Sequence, residues 1–181
     1  MPLQLAGGLA LVDLNPRTAG PAWREVDVHA ADGASSTLRV SVAHGVRAMY
    51  AFPGEEFYAN VKVETSVDGQ FAQDRKNVLA AMDSLTAMMK EKSAGSPRPD
   101  GLDVIEDGKG AHRGIEYHFS LLNTVHGKGM VVFFLPEQRV IITAYLLGRK
   151  PTGDGSVNET RRLQRAFVHG YIDAIAVPGP A

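Results

Sequence analysis

The sequence predicts an α+β fold: an α/β/α sandwich with a largely antiparallel central sheet, a long helix in the middle of the chain and a closing C-terminal helix. Three observations carry this reading. Met130–Leu135 and Val140–Leu147 run almost without a polar residue, and a strand apolar on both faces has to be covered on both. Only short connections, Asn123–Gly129 and Pro136–Gln138, join the strands between Ala111 and Gly148, which favours antiparallel neighbours over crossovers. Two stretches show helical spacing of apolar residues: Phe71, Val78, Met82, Leu85 and Met89, then Leu163, Phe167, Tyr171 and Ala174.

In chain order, residues 1–22 read as an irregular N-terminal segment with one short strand at Leu9–Val12, because Asn15-Pro16 and Ala19-Gly20-Pro21 punctuate it. Trp23–His29 is a strand ended by Asp32-Gly33. Leu38, Val40 and Val42 alternate with polar or small neighbours as a half-buried strand; Gly45 marks a bulge or turn, and Val46–Phe52 continues extended to Pro53-Gly54. Phe57–Thr65 is the cleanest strand, with Tyr58, Asn60, Lys62 and Glu64 on a polar face taken as solvated. Asp68 is the expected N-cap of a helix reaching about Lys92. Its methionines (Met82, Met88, Met89) read as core. Ser93–Pro99 is a loop, and Asp107-Gly108 a two-residue hairpin turn leading into a strand over His112–Leu122. Phe133 and Ile141, on adjacent central strands, should both be buried. After the loop Arg149–Gly155, Ser156 and Glu159 have capping-box spacing for a helix to about Ala176, ended by Pro178.

Length and composition fit one domain over residues 1–181: 44% hydrophobic and 22% charged, with no dividing linker and no internal repeat. A net charge of -1 argues against a general nucleic-acid binder or a membrane-surface protein. The absence of cysteine removes disulfides, thiolate nucleophiles and iron–sulfur clusters. Met1–Leu14 is apolar but lacks a basic flank and is cut by Asp13, so it fits neither a leader nor a membrane span. As it stands the sequence is expected to be soluble and cytoplasmic; a periplasmic or secreted place would require a leader already removed.

His112, Glu116 and His118 are the most suggestive polar cluster. On one strand they share a face, with His126 in the adjoining loop, and imidazoles with a carboxylate make a zinc or non-haem iron ligand set. The neighbouring strands offer only apolar residues, so the blander reading is a shielded strand face. Gly108-Lys109-Gly110 and Gly127-Lys128-Gly129 read as hairpin turns, since neither has phosphate-loop spacing. Arg161, Arg162 and Arg165 form the candidate partner-binding cluster, set against a solvated helix face in which Glu159 supplies an i,i+3 pair.

Tyr50-Ala51-Phe52-Pro53, the extended Asn60–Glu64, the long helix, the strand with Gly114-Ile115-Glu116-Tyr117 and the closing helix around Phe167 and Ile172 together resemble the PsbP-like superfamily, which includes Mog-type and bacterial DcrB-type proteins. The resemblance covers residues 46–177. It implies a non-enzymatic domain that binds another protein or a small ligand, with no catalytic residues to carry over. The function expected is therefore a binding or accessory module without cofactor. The alternatives are a small metal-dependent hydrolase centred on His112, Glu116 and His118, a structural subunit of a homo-oligomer, and a secreted ligand carrier.

Overall fold

A computed structural model describes residues 10–51, 57–94, 103–123, 127–148 and 156–176. Seven strands and two helices follow in the order β1 (Ala10–His29), β2 (Ser35–Ala51), β3 (Phe57–Thr65), α1 (Phe71–Ala94), β4 (Asp103–His112), β5 (Ile115–Asn123), β6 (Gly127–Leu135), β7 (Val140–Gly148) and α2 (Ser156–Ala176). They build one seven-stranded sheet ordered β1-β2-β3-β7-β6-β5-β4, and every neighbouring pair is antiparallel.

The expectation of an α/β/α sandwich is corrected. The molecule is mostly one curled antiparallel sheet, a sheet-dominated half-barrel, with two helices set against it. Seven strands spaced about 4.8 Å apart span about 30 Å, and a helix is only about 10–12 Å across. One helix on a face cannot form a layer over such a sheet, so the sheet closes on itself by curling. The strand content exceeds the expectation because β1 and β2 are long. Residues 10–22 are not irregular: Ala10–His29 pairs with β2 throughout, with register shifts near Asp13, Ala19 and Ala22. Pro16 and Pro21 are tolerated because β1 is an edge strand, where a missing N–H need not break a ladder. Gly45 is not a turn: it pairs with Arg17 on one side and Glu64 on the other, and the bulge expected there is the register shift of β1 between Arg17 and Ala19, opposite Gly45 and His44.

Two hydrophobic clusters form among the described residues. The larger joins Tyr50, Phe57, Val61, Val131, Phe133, Ile142 and Leu146 of the sheet to Leu163, Phe167, Tyr171 and Ile172 of α2. Phe133 there is fully buried, and the rings of Tyr50, Phe133, Phe167 and Tyr171 meet in tilted and edge-on pairs. The second joins Val40, Met130, Val132, Phe134 and Ile141 to Val78 and Met82 of α1. β6 and β7 contribute alternate residues to both clusters, which is why they are apolar throughout. β4 reports the same division: Glu106 meets Arg161 of α2 at 2.7 Å, while the next residue, Asp107, pairs with Lys90 of α1.

The start of α1 also differs from expectation. The first helical bond runs from the Asp74 N–H to Gln70, so Asp68 is not the cap; its carboxylate accepts from Arg139 at 2.5 Å. Asp74 is instead the buried acid of the first turn, accepting from the Ser41 N–H at 2.9 Å and from the Ser41 hydroxyl. Asn77 donates to the Arg39 carbonyl at 2.7 Å. These bonds hold the part of β2 that runs beyond β3 against α1. The capping side chain of Ser156, the Phe52-Pro53 motif and His126 lie outside the described residues.

Candidate functional site

The hairpin turn falls at Arg113-Gly114, not at Asp107-Gly108. Both residues have positive φ, 48° and 78°, as a two-residue turn of this hand requires, and His112 pairs with Ile115 across it. The turn divides the proposed metal cluster. Glu116 and His118 stay together on β5 at 3.0 Å, with Arg75 of α1 at 3.7 Å from the same carboxylate. Hydrogen bonding from His118 holds the Glu116 carboxyl below its ordinary range. His112 sits at the end of β4 against α2, its Nε2 2.8 Å from Asp173 and its ring stacked on His169 with centroids 4.1 Å apart. Arg113 donates to the same Asp173 carboxylate. The three residues therefore do not converge, and no group of three metal-ligating side chains occurs among the described residues.

The arginine cluster is also largely engaged within the fold. Arg161 donates to Glu106 at 2.7 Å and to Asn158 at 2.9 Å, and Arg162 to Glu159 at 2.7 Å. Arg165 is exposed.

What the sequence reading passed over is a cleft on the α1 side of the sheet. The far half of the β1–β2 hairpin extends past β3, and Arg24 from it reaches Glu64 of β3 at 2.7 Å. This closes one wall of a cleft of about 490 Å³, whose other walls are α1 and the sheet. Its apolar lining comes from Val78, Ala81, Met82 and Leu85 of α1 and from Met130 and Val132 of β6. Its polar lining comes from Arg24, Glu25, Asp27 and His29 of β1, from Tyr145, and from Arg47, Lys62 and Thr143, which lie on one rung across the sheet: Arg47 opposes Lys62, Lys62 opposes Thr143, Thr143 opposes Val132, and Val132 opposes His118. The next rung carries Met49, Asn60, Tyr145, Met130 and Ser120 in the same sequence. A second cavity of about 410 Å³ shares Arg47, Lys62 and Tyr145 with the first.

Directly opposed side chains on a sheet stand about 4.5–5.5 Å apart at Cβ, and like charges so placed repel. Arg47 and Lys62 are such a pair. Burial holds the Lys62 amine below the ordinary lysine range; Arg24 and Arg47 press the same way, and Glu64 opposes them. Glu64 is buried, 2.7 Å from Arg24 and 3.9 Å from Lys62. Thr143 is 4% exposed, and its hydroxyl has no hydrogen-bond partner among the described residues. Tyr145, 44% exposed, is one of two large apolar side chains left open among the described residues.

One signal for this cleft was available. Lys62 and Glu64 belong to the clean alternation of β3, but that pattern fits an edge strand facing water as well as an inner strand facing a cavity. The structure places β3 between β2 and β7, and an inner strand with a half-buried lysine lines something. No helix among the described residues is long and apolar enough to cross a membrane. No family model, curated protein or solved structure matches the chain.

Proposed function

We propose that the protein is a non-enzymatic binding module whose working surface is the cleft between α1 and the curled sheet, and that its ligand is a small molecule. The observation that carries this reading is the cleft itself: about 490 Å³, within the size range of small-molecule pockets, with an apolar side on α1 and β6 and charged or polar groups from β1, β2, β3 and β7. The role agrees with what the PsbP-like resemblance implies. A protein partner held by Arg161, Arg162 and Arg165 has less behind it, because Glu106, Asn158 and Glu159 already occupy two of the three guanidiniums. A hydrolase built on His112, Glu116 and His118 would need those groups at one point, and the Arg113-Gly114 turn sends them apart.

The test is titration with Nile red, a neutral apolar dye. The folded protein should enhance its fluorescence saturably, near one equivalent. Ala81→Trp, which places an indole in the cleft from α1, should abolish the enhancement while the melting temperature stays close to that of the wild type. Unsaturable binding, or binding unchanged in the Ala81→Trp protein, would remove the cleft as the working surface.

A further inference from the structure

We infer that the cleft ligand is an anionic amphiphile: a molecule with one acidic head, taken by Lys62, Arg47 and the Thr143 hydroxyl, and an apolar body laid along Met82, Met130 and Val132. This rests on the binding-module reading and adds the ligand's chemical class.

The charges on the cleft wall are unbalanced. Arg24, Arg47 and Lys62 are three cations, and among the described residues the carboxylate set between them is Glu64, which Arg24 engages at 2.7 Å and Lys62 only at 3.9 Å. Glu25 and Asp27 also border the cleft. They alternate along β1 with Arg24 and Val26, however, and Val26 packs into the α1-side cluster, so the two acids leave the strand from its other face, and both are exposed. Asp27 is moreover engaged by the Thr37 hydroxyl at 3.3 Å.

An opposed Arg47–Lys62 pair on an inner rung costs stability with nothing between its charges, and a bound anion removes that cost. The Thr143 hydroxyl adds a second, independent indication. It is the next group on the rung after Lys62, it is buried, and it lacks a partner among the described residues, a condition that native structures usually resolve with water or a ligand. The tail follows from what lies beyond Thr143. Val132 is next on the rung, Met130 next along β6, and Met82 faces them from α1; methionines adapt their shape to different apolar bodies.

The head could be a carboxylate or a phosphate monoester, since both offer the same charge-assisted acceptors to a lysine, an arginine and a hydroxyl. Decanoate, decyl phosphate and decanol therefore serve as probes, titrated calorimetrically into the whole chain at neutral pH. At least one of the two anions should bind about ten- to a hundredfold more tightly than decanol, the worth of one or two charge-assisted hydrogen bonds. The tighter of the two assigns the head. Lys62→Met should erase this preference, leave decanol affinity within about twofold and raise the melting temperature of the ligand-free protein, because it removes the like-charge contact. Arg47→Met should act in the same direction and serves if Lys62→Met fails to fold. Decanol binding as tightly as both anions, or a preference that persists in both variants, overturns the inference while a Nile red site lost on Ala81→Trp still stands. If none of the three decyl probes binds, the inference falls; if Nile red fails as well, so does the cleft reading.

Discussion

His169 sits where burial, the stacked ring of His112 and the guanidinium of Arg165 all disfavour a second positive charge, with only Asp173 favouring it; its imidazole is held below the ordinary value of 6.5, burial being the main cause. The ring of Tyr117 also meets it edge-on, with centroids 6.3 Å apart. The sign of the consequence is fixed. The unfolded chain protonates this histidine more readily than the folded protein does, so stability is present above 6.5 and declines as pH falls from there toward the lowered folded value. Asp173, held below 3.8 by hydrogen bonds from His112 and Arg113, adds a separate loss in the same direction at lower pH. Wild type should therefore lose more of its urea midpoint between pH 7.5 and 5.5 than His169→Gln does. Equal losses would mean that this stack does not govern the slope. At this scale the sequence was least legible. His112, Glu116 and His118 are expected on one strand face and are not all found there, because alternation along a strand holds only while the strand continues, and the turn at Arg113-Gly114 has no Asn-Gly or Asp-Gly signature. Asp107-Gly108 has that signature and is used as plain strand, opposite Ser120 and Phe119.

The elements were more legible than the residues. Inner strands β6 and β7 follow from their apolar runs, and Phe133 and Ile141 are indeed buried, though they face different clusters. The two Gly-Lys-Gly pieces are not turns: both lie within strands, β4 and β6. Gly129 explains one of them. Its φ is 146°, β6 shifts register there, and a Cβ would stand 2.2 Å from the Ser120 carbonyl oxygen. Because the obstacle is backbone, no rotamer change relieves it. Gly129→Ala should cost on the order of 3 kcal/mol, combining overpacking with a strained dihedral. Gly114→Ala is the matched control: φ there is 78° with nothing within 4 Å of the added atom, so only the conformational cost of about 1–2 kcal/mol applies. Chemical denaturation of both variants checks the order; similar losses would mean that β6 yields at its bulge. The edge strand β1 was hidden for the converse reason. Proline reads locally as a breaker, and only the sheet order shows that β1 has a free side.

The whole molecule divides at a seam that local sequence cannot announce. β1, β2 and β3 form one meander and β4 to β7 another, and the two halves of the sheet meet where β3 pairs with β7, Phe57 opposite Gly148 and Thr65 opposite Val140. All other strand pairs join neighbours in the chain. The charged rung of the cleft crosses this seam, since Lys62 lies on one side and Thr143 on the other. The consequence is one of time. Each meander can zip from its own turns, but the seam must wait for distant parts of the chain to meet, and such closures slow folding. In pulse-labelled hydrogen exchange during refolding, the amides bonded between β5 and β6 should gain protection before those bonded between β3 and β7. Simultaneous protection would show that the halves do not form separately. If they do, the chain passes through a stage in which Arg47 and Lys62 are already paired while Thr143 is still elsewhere, so the ligand site is among the last things the protein acquires.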